Sequence, residues 1–275
     1  MIQITEQQLH QIIKETLEHV CNRVIAEYGI KVDTQNKTVE FDPKTENYVD
    51  TNSVDSPELF KSTIHGFEVL SSFRRKKTSD RLDGNPLIRA FKHLDSWSFK
   101  NGETDEMEFY KRFVGTLSLL GDSYETIIKL PSRNTFNDKL FDTIVSHVPH
   151  KHEYKDFFIK LSSDDVLKAY KDSVVEVDKM INVCFDRMKK ENDGIFSYKF
   201  IPTSIRGEIH HTMIQAPSST PMSQIAQTIT GKNILLIDDT VSSGSTILEA
   251  ANYLMDMYNP SNITIFTLMS PLTEE

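Results

Sequence analysis

The chain has 275 residues, a formal net charge of −9 and 38% hydrophobic residues. This length fits one large domain or a core with an accessory domain, and the hydrophobic content excludes a disordered chain. The acidic balance argues against a general nucleic-acid or membrane-surface binder. No run approaches the ~20 apolar residues of a membrane span, and the N-terminus lacks the pattern of a signal peptide, so we expect a soluble, cytoplasmic protein without membrane contact.

Residues 1–120 are predicted to form a mostly helical accessory region. Apolar side chains recur there at helical spacing. The helical patterns lie at residues 5–28, 57–72, 86–94 and 106–120. A single strand is predicted, around Thr38–Phe41.

A run of four basic side chains interrupts this region, within SSFRRKKTSDR. Its members are Arg74, Arg75, Lys76 and Lys77. A solvated loop or helix end is the favoured interpretation, and contact with a nucleotide or nucleic acid is the alternative. Trp97 and Phe99 lie nearby and could stack on a base, although packing in the core is favoured for both.

Residues 121–275 are predicted to form an α/β core, because strand and helix patterns alternate along them. The strands are short apolar runs, expected at 124–130, 156–161, 196–201, 233–237 and 263–268. The helices are expected at 136–148, 222–228 and 245–257. Such alternation implies parallel βαβ units, so the sequence predicts a Rossmann-like parallel sheet flanked by helices.

Two segments of this core depart from the alternation. Residues 162–192 predict one long helical insertion, with Ser162 or Ser163 at its N-cap and acidic residues in its first turn. Residues 202–220 show no clean period and predict a long loop.

One stretch carries most of the functional signal, NILLIDDTVSSGST from Asn233 to Thr246. Its loop lies between a strand and a helix N-terminus, where successive backbone N–H groups and the helix dipole can bind a phosphate. Gly244 allows close approach or a left-handed turn. Asp238 and Asp239 would repel that phosphate and are better suited to a pair of hydroxyls or a metal ion. Together these features describe a site for ribose 5-phosphate.

Other phosphate-binding motifs do not fit this stretch. A P-loop requires GxxxxGK[ST], but the Gly231–Lys232 pair is followed by Asn233. A DxDx[TV] phosphatase would need an acid where Thr240 stands, and the dinucleotide fingerprint GxGxxG is absent. A strand-to-helix turn capped by aspartate is the structural explanation, but it does not account for two acids together with a run of hydroxyls.

The stretch ILLIDDTVSSGST resembles the motif by which type I phosphoribosyltransferases bind phosphoribosyl pyrophosphate (PRPP). It departs from that motif at Thr240, where the family usually has an aliphatic residue or serine. The order of elements over 122–270 is more weakly similar, and 1–120 resembles no family. The resemblance implies a type I phosphoribosyltransferase-like core. The implied activity is that of a pentosyltransferase, a glycosyltransferase that uses Mg²⁺ to move ribose 5-phosphate from PRPP to a nitrogenous base with release of pyrophosphate.

The resemblance also implies roles for the matching residues. Asp238 and Asp239 would hold the ribose 2- and 3-hydroxyls, directly or through Mg²⁺. The 5-phosphate would be wrapped by Thr240, Val241, Ser242, Ser243, Gly244, Ser245 and Thr246. The pyrophosphate would lie on the loop after the first core strand, at Ser132, Arg133, Asn134 and Thr135.

The implied reaction needs cations at the leaving pyrophosphate and a lid that excludes water. The family's mobile catalytic loop falls on residues 202–216. Arg206 is the first candidate to reach the pyrophosphate and Lys199 is the next, whereas His210 and His211 are interpreted as solvated.

Two other functions stay open at this point. One is a regulator that senses PRPP or a nucleotide without catalysis, and the other is an enzyme that handles ribosyl phosphate on nucleotides or nucleic acid. The pocket for the base is expected from residues 1–120, from 162–192 or from both, and a homodimer is expected because families of this kind usually form one.

Overall fold

The computed structural model describes residues 29–44, 48–121, 123–174, 179–241 and 243–272, so the helix predicted at 5–28 and the side chain of Ser242 lie outside it. The chain divides into two compact units, Met1–Glu58 with Phe73–Gly115 and Leu59–Ser72 with Thr116–Glu275. Within the described ranges, no helix has the length and apolar character needed to cross a membrane.

The secondary structure alternates between short strands and helices along the described residues. In chain order the strands are β1 (Gly29–Asp33), β2 (Thr38–Asp42), β3 (Val49–Asp50), β4 (Phe60–Ile64), β5 (Phe67–Arg75), β6 (Ser98–Phe99), β7 (Thr126–Lys129), β8 (His152–Tyr154), β9 (Phe158–Lys160), β10 (Met213–Gln215), β11 (Asn233–Thr240) and β12 (Asn262–Met269). The α-helices are α1 (Asn85–Phe91), α2 (Glu103–Leu117), α3 (Phe136–His147), α4 (Ser163–Ser173), α5 (Lys179–Glu191), α6 (Met222–Ile229) and α7 (Ser245–Tyr258).

The first unit combines a small sheet with two helices around an aromatic core. β1 and β2 pair antiparallel, and β6 adds parallel to β2. Phe109 is fully buried, and its ring packs against those of Phe73, Phe91 and Phe99 at centroid distances of 5.6 to 6.3 Å. The helices predicted near 86–94 and 106–120 are confirmed as α1 and α2.

The prediction of a mostly helical N-terminal region is wrong for its described part, because five strands precede α1. The segment 57–72 is the hairpin of β4 and β5, not a helix. Its turn residues His65 and Gly66 have φ values of +52° and +87°, as a tight hairpin turn requires. The burial along β4 alternates with a period of two, which a search for helical spacing overlooked.

The second unit is built on one sheet with the strand order β4-β5-β12-β11-β7-β8. The last four strands in that order are parallel to one another, whereas β4 and β5 are antiparallel. The α/β class is therefore confirmed, but the sheet is mixed rather than entirely parallel. Both faces of β11 are buried, because residues 234 to 237 are fully covered.

Two of the predicted core strands have other roles. β9 lies outside the main sheet and pairs with β10 in a separate ribbon. The segment 196–201 contains a 3-10 turn, Tyr198–Phe200, instead of a strand. Its apolar residues Phe196 and Ile201 are buried against α4 and α5 in a cluster distinct from the main core, so its apolar pattern reflects packing and not pairing.

The insertion predicted as one helix over 162–192 consists of two. α4 ends at Ser173, because Val174 is extended with φ −120° and ψ 149°. α5 begins at Lys179. Buried side chains of the two helices, among them Val166 and Phe185, form their own small core.

The start of α4 provides a matched pair of serine variants. Ser162 caps the helix, because its Oγ accepts the backbone N–H of Asp165 at 3.1 Å. The neighbouring Ser163 Oγ is buried without a hydrogen-bond partner among the described residues. We expect Ser162→Ala to lower the free energy of unfolding by about 1 kcal/mol, and Ser163→Ala to leave it unchanged or raise it, because an unsatisfied hydroxyl is lost. Urea unfolding measures both, and equal losses would contradict the cap.

Candidate functional site

The two acids, Asp238 and Asp239, lie at the carboxyl end of β11, directly before its last residue, Thr240. Asp239 is buried and Asp238 is half-buried. Asp238 Oδ1 accepts the backbone N–H of Asp239 at 2.9 Å and the side-chain amide of Asn137 at 3.3 Å. Backbone and Asn137 therefore hold the Asp238 carboxylate in one orientation at the carboxyl end of a buried strand.

The loop after the acids leads directly into the N-terminus of α7. Gly244 stands at the N-cap with φ +74°, and no side-chain hydrogen bond to this helix end is found within the described residues. The first helical bond runs from Leu248 N to Gly244 O at 2.8 Å. The N–H groups of Ser245, Thr246 and Ile247 precede that bond, so the helix itself does not use them.

The residues that carry these groups line a small cavity of about 50 Å³. One water needs roughly 10–15 Å³ measured in this way, so the cavity has room for a few waters or for one tetrahedral anion. The cavity is lined by Tyr198, Asp238, Thr240, Val241, Ser243, Gly244, Ser245, Thr246 and Ile247. The structure thus brings Asp238 and most of the predicted phosphate loop together, and Ser242 is outside the described residues.

The tip of the β4–β5 hairpin contacts the same loop, which the sequence did not predict. His65 Nε2 donates to the backbone oxygen of Ser243 at 3.1 Å, and it must carry the proton because a carbonyl only accepts. A Cβ placed on Gly244 would lie 2.5 Å from Ile64 Cγ2. The Ser243 C=O and the Gly244 N–H belong to the same trans peptide, in which the two groups point to opposite sides. Because His65 binds the Ser243 oxygen from the side of the hairpin, the Gly244 N–H points away from the hairpin.

Arg206 reaches the phosphate loop from the 3-10 turn Thr203–Glu208. Its Nε donates to the backbone oxygen of Ile201 at 2.9 Å, and one terminal nitrogen donates to Ser243 Oγ at 3.1 Å. Ser243 Oγ lies 2.8 Å from Ser245 Oγ. The loop predicted at 202–220 therefore contains a 3-10 turn and β10, and its Arg206 is bonded to a serine that lines the cavity. His210 and His211 are exposed, as predicted.

Tyr198 completes one wall of the cavity. Its hydroxyl donates to the backbone oxygen of Ile209 at 2.8 Å. Burial raises the pKa of Tyr198 well above its usual range, and the charge of Glu249 acts in the same direction. Tyr198 therefore stays a neutral phenol and contributes shape and an aromatic surface, not a charge.

Lys160, at the end of β9, is a candidate that the sequence analysis missed. Burial lowers the pKa of its ammonium group, the carboxylates of Asp238 and Asp239 raise it, and the charges of Lys199 and Arg133 lower it further. Both signs of charge thus act on Lys160, and the acids at the end of β11 favour its charged form. Lys160 is the penultimate residue of the strand predicted at 156–161, so its position near a strand end is the signal that could have identified it.

Side chains of the loop predicted to bind pyrophosphate, residues 132–135, already form hydrogen bonds within the protein. Arg133 donates to Asn192 Oδ1 at 2.7 Å and to Asp193 Oδ2 at 2.6 Å. Ser132 Oγ accepts the backbone N–H of Asn134, and the side-chain oxygen of Asn134 accepts the backbone N–H of Phe136. Asp193 is 87% exposed, and an exposed pair of this kind contributes only about 0–1 kcal/mol, so a diphosphate could displace it. Thr135 stands exposed at the N-cap of α3.

The basic run in the first unit has structural partners. Arg74 pairs with Asp50 at 3.2 Å. Arg75 is buried, donates to the backbone oxygen of Asp83 and the side chain of Asn85, and burial lowers its pKa. Trp97 and Phe99 are buried too, which confirms core packing for both. Lys76 and Lys77, the other members of the run, extend past β5. Polynucleotide contact at this run stays a prediction without structural support.

A divalent cation would find its protein ligands at the acid pair. Within the described residues no group of three or more His, Cys, Asp or Glu side chains could hold a metal ion. A magnesium ion at Asp238 and Asp239 would therefore take its other oxygens from the ligand and from water, as Mg²⁺ usually does. Asn137 Oδ1 is a buried oxygen beside Asp238 with no hydrogen-bond partner in the described part of the chain, and it adds one neutral acceptor to this donor set.

Comparison of the chain with protein-family models gives no match, and no curated protein matches it at a significant level.

Replacing Lys160 by methionine is expected to separate stability from anion binding. The pKa of Lys160 is lower in the folded protein than in the unfolded chain, so the unfolded chain binds this proton more readily. At neutral pH the charged lysine therefore lowers the free energy of unfolding. This loss disappears as the pH rises from the pKa of Lys160 in the folded protein to its pKa in the unfolded chain. The variant should be at least as stable as the parent at neutral pH and lose that advantage toward about pH 10. Its affinity for magnesium pyrophosphate should fall roughly tenfold or more.

Urea unfolding at the two pH values and calorimetry with magnesium pyrophosphate check these expectations. Lys168→Met is the control, because Lys168 is exposed on α4. A less stable Lys160→Met protein with unchanged pyrophosphate affinity would show that this lysine serves the fold and not the site.

Proposed function

We propose that the chain is a phosphoribosyltransferase with a type I-like core, which transfers ribose 5-phosphate from PRPP to a nitrogenous base and releases pyrophosphate. One observation carries this proposal: Asp238 and the first turn of α7 line the same small cavity. The cavity thus offers acceptors for sugar hydroxyls at one side and donors for a phosphate at the other. A homodimer and a cytoplasmic location stay predictions.

The residues of the cavity would orient the sugar for displacement at its anomeric carbon. The N–H groups of Gly244, Ser245 and Thr246 bind the 5-phosphate, and their fixed positions cost no reorganisation during the reaction. Asp238 and Asp239 accept the ribose hydroxyls. Mg²⁺, when bound, neutralises charge on the pyrophosphate and orients it.

The bond between the anomeric carbon and the pyrophosphate oxygen breaks, a bond from the same carbon to a ring nitrogen of the base forms, and the proton of that nitrogen passes to the pyrophosphate or to water. Positive charge builds on the sugar and negative charge on the leaving group. Lys160 is a cation on which the charges of the acid pair act, and it would stabilise the leaving pyrophosphate together with Lys199 and Arg133, whose charges act on Lys160 as well. No nucleophilic side chain is needed for this step.

The acceptor would contact the segment that follows the insertion. Tyr198 is one of the residues that line the cavity. An aromatic ring beside the sugar would suit the flat face of a base, so we expect Tyr198 to contact the acceptor.

Release of pyrophosphate from PRPP tests the proposal. Purified protein is incubated with PRPP, Mg²⁺ and one base at a time from a panel of purines, pyrimidines and simpler nitrogen heterocycles. We expect release with at least one base and formation of the matching nucleotide. Binding of PRPP without turnover across the panel would contradict the enzyme.

The second candidate is a non-catalytic sensor of PRPP or a nucleotide. The contacts of Arg133 favour it, since this arginine is engaged by Asn192 and Asp193 and would have to leave them to reach a diphosphate. In Asp193→Asn the ion pair is lost. For an enzyme, turnover should persist or rise in this variant, whereas for a sensor turnover stays absent and only affinity changes.

A further inference from the structure

We propose that Arg206 is a ligand of the 5-phosphate, and not of the leaving pyrophosphate to which its place in the chain would assign it. The inference rests on the proposed function, because it assigns Arg206 to one of the two phosphate-bearing ends of bound PRPP, the 5-phosphate and not the pyrophosphate. Arg206 would thereby make recognition of the terminal phosphate depend on a segment outside the strand–loop–helix motif.

The first argument is the position of the guanidinium group. Its Nε donates to the Ile201 backbone oxygen, and this bond fixes the plane of the group. A terminal nitrogen then meets Ser243 Oγ at 3.1 Å, and Ser243 lines the cavity. Two of the five N–H donors of the arginine are used in these bonds. Its forked donors can therefore contact an anion that lies on the same serine.

The second argument is the supply of hydroxyl protons. Ser243 Oγ accepts from Arg206 and shares a hydrogen bond of 2.8 Å with Ser245 Oγ, in which either hydroxyl can be the donor. That bond uses only one of the two serine protons, so the other is left for an acceptor in the cavity. The guanidinium, one serine hydroxyl and the N–H groups of the first turn of α7 can therefore donate to an anion at this end, which is the arrangement that a phosphate dianion requires.

The third argument is that another cation belongs to the opposite end. Lys160, at the end of β9, is a group on which the charges of Asp238 and Asp239 act. The sugar hydroxyls and the magnesium pyrophosphate would lie at these acids. Arg206 is bonded to the phosphate loop instead.

The loop itself should keep its shape when Arg206 is replaced. His65 holds the Ser243 backbone oxygen from the side of the hairpin, and Gly244 packs closely on Ile64. Removal of the guanidinium therefore takes away a ligand and a charge, but not these contacts to the loop.

The test compares three ligands by calorimetry: ribose 5-phosphate, magnesium pyrophosphate and magnesium PRPP. Arg206→Gln is expected to weaken ribose 5-phosphate and PRPP by the same factor, roughly tenfold to a hundredfold, and to leave pyrophosphate unchanged. Lys160→Gln is expected to do the reverse. Arg206→Lys, which keeps the charge without the fork, should lose part of the affinity. Arg187→Gln is the matched control, because Arg187 is exposed on α5 and pairs with Glu191.

The proposal is overturned if Arg206→Gln weakens pyrophosphate and spares ribose 5-phosphate, or if the parent protein does not bind ribose 5-phosphate. Thermal unfolding of each variant is measured first, and Arg206→Lys replaces Arg206→Gln if the glutamine variant does not fold. A parent protein that binds ribose 5-phosphate but never turns over PRPP would defeat the proposed enzyme, and the assignment of Arg206 would still be decided by the ribose 5-phosphate titration.

Discussion

Replacing Asp238 and Asp239 together by asparagine is expected to lower PRPP turnover by about a thousandfold or more, because two charged hydrogen-bonding contacts worth about 2 kcal/mol each are lost. The amide is nearly isosteric with the carboxylate. The oxygen of an asparagine at 238 can still accept from Asp239 N and from Asn137. The fold should therefore survive, and affinity for magnesium PRPP should fall with turnover.

Pyrophosphate release and calorimetry measure the two losses, and thermal unfolding checks the fold. Asp256→Asn is the control, because Asp256 is exposed on α7 and its substitution removes one negative charge from the same unit, half the change of the double variant. A double variant that keeps PRPP affinity within about threefold of the parent would contradict the assignment of the acids to the sugar.

Gly244→Ala is expected to cause the largest loss of stability among single changes to the loop. Gly244 has φ +74°, and an added Cβ would lie 2.5 Å from Ile64 Cγ2 and 3.2 Å from His65 Cδ2. The left-handed conformation costs an alanine about 1–2 kcal/mol, and overpacking adds about 1–3 kcal/mol. Relief of the clash would also move the loop, so ribose 5-phosphate affinity should fall at least tenfold.

Two further variants separate the causes of that loss. Gly231→Ala is matched in backbone conformation, with φ +67°, and nothing lies within 4 Å of its added Cβ. It should show the conformational cost alone and leave ligand affinity unchanged. Ile64→Ala combined with Gly244→Ala should recover the steric part in a double-mutant cycle. Equal stability of the Gly231→Ala and Gly244→Ala proteins would show that the hairpin does not press on the loop.

The part of the site that the sequence could predict is the part formed by contiguous residues. The strand, the acids and the helix that follow one another from Asn233 are all in β11 and α7. Local pattern suffices there, since burial, turn and helix start are set by neighbours in the chain. The α/β class followed from the same alternation of strands and helices.

The parts that could not be predicted depend on distant segments. His65 and Ser243 are 178 residues apart in the chain. They meet only because the β4–β5 hairpin joins the sheet beside β12. The antiparallel β4–β5 hairpin has no helix between its strands. The alternation of strands and helices in residues 121–275 therefore predicted only the parallel part of the sheet. Lys160 lies on a ribbon whose partner strand, β10, was hidden in a segment without a period. The contacts of Arg133 likewise come from residues beyond α5.

The most direct test of the site is the response of the loop's own amides to a sugar phosphate. Backbone ¹H–¹⁵N spectra of labelled protein are recorded while ribose 5-phosphate is titrated. We expect the amide protons of Gly244, Ser245 and Thr246 to move downfield together and to saturate at one dissociation constant, because each becomes a donor to the phosphate. Binding of ribose 5-phosphate that leaves these three signals unmoved would contradict the account.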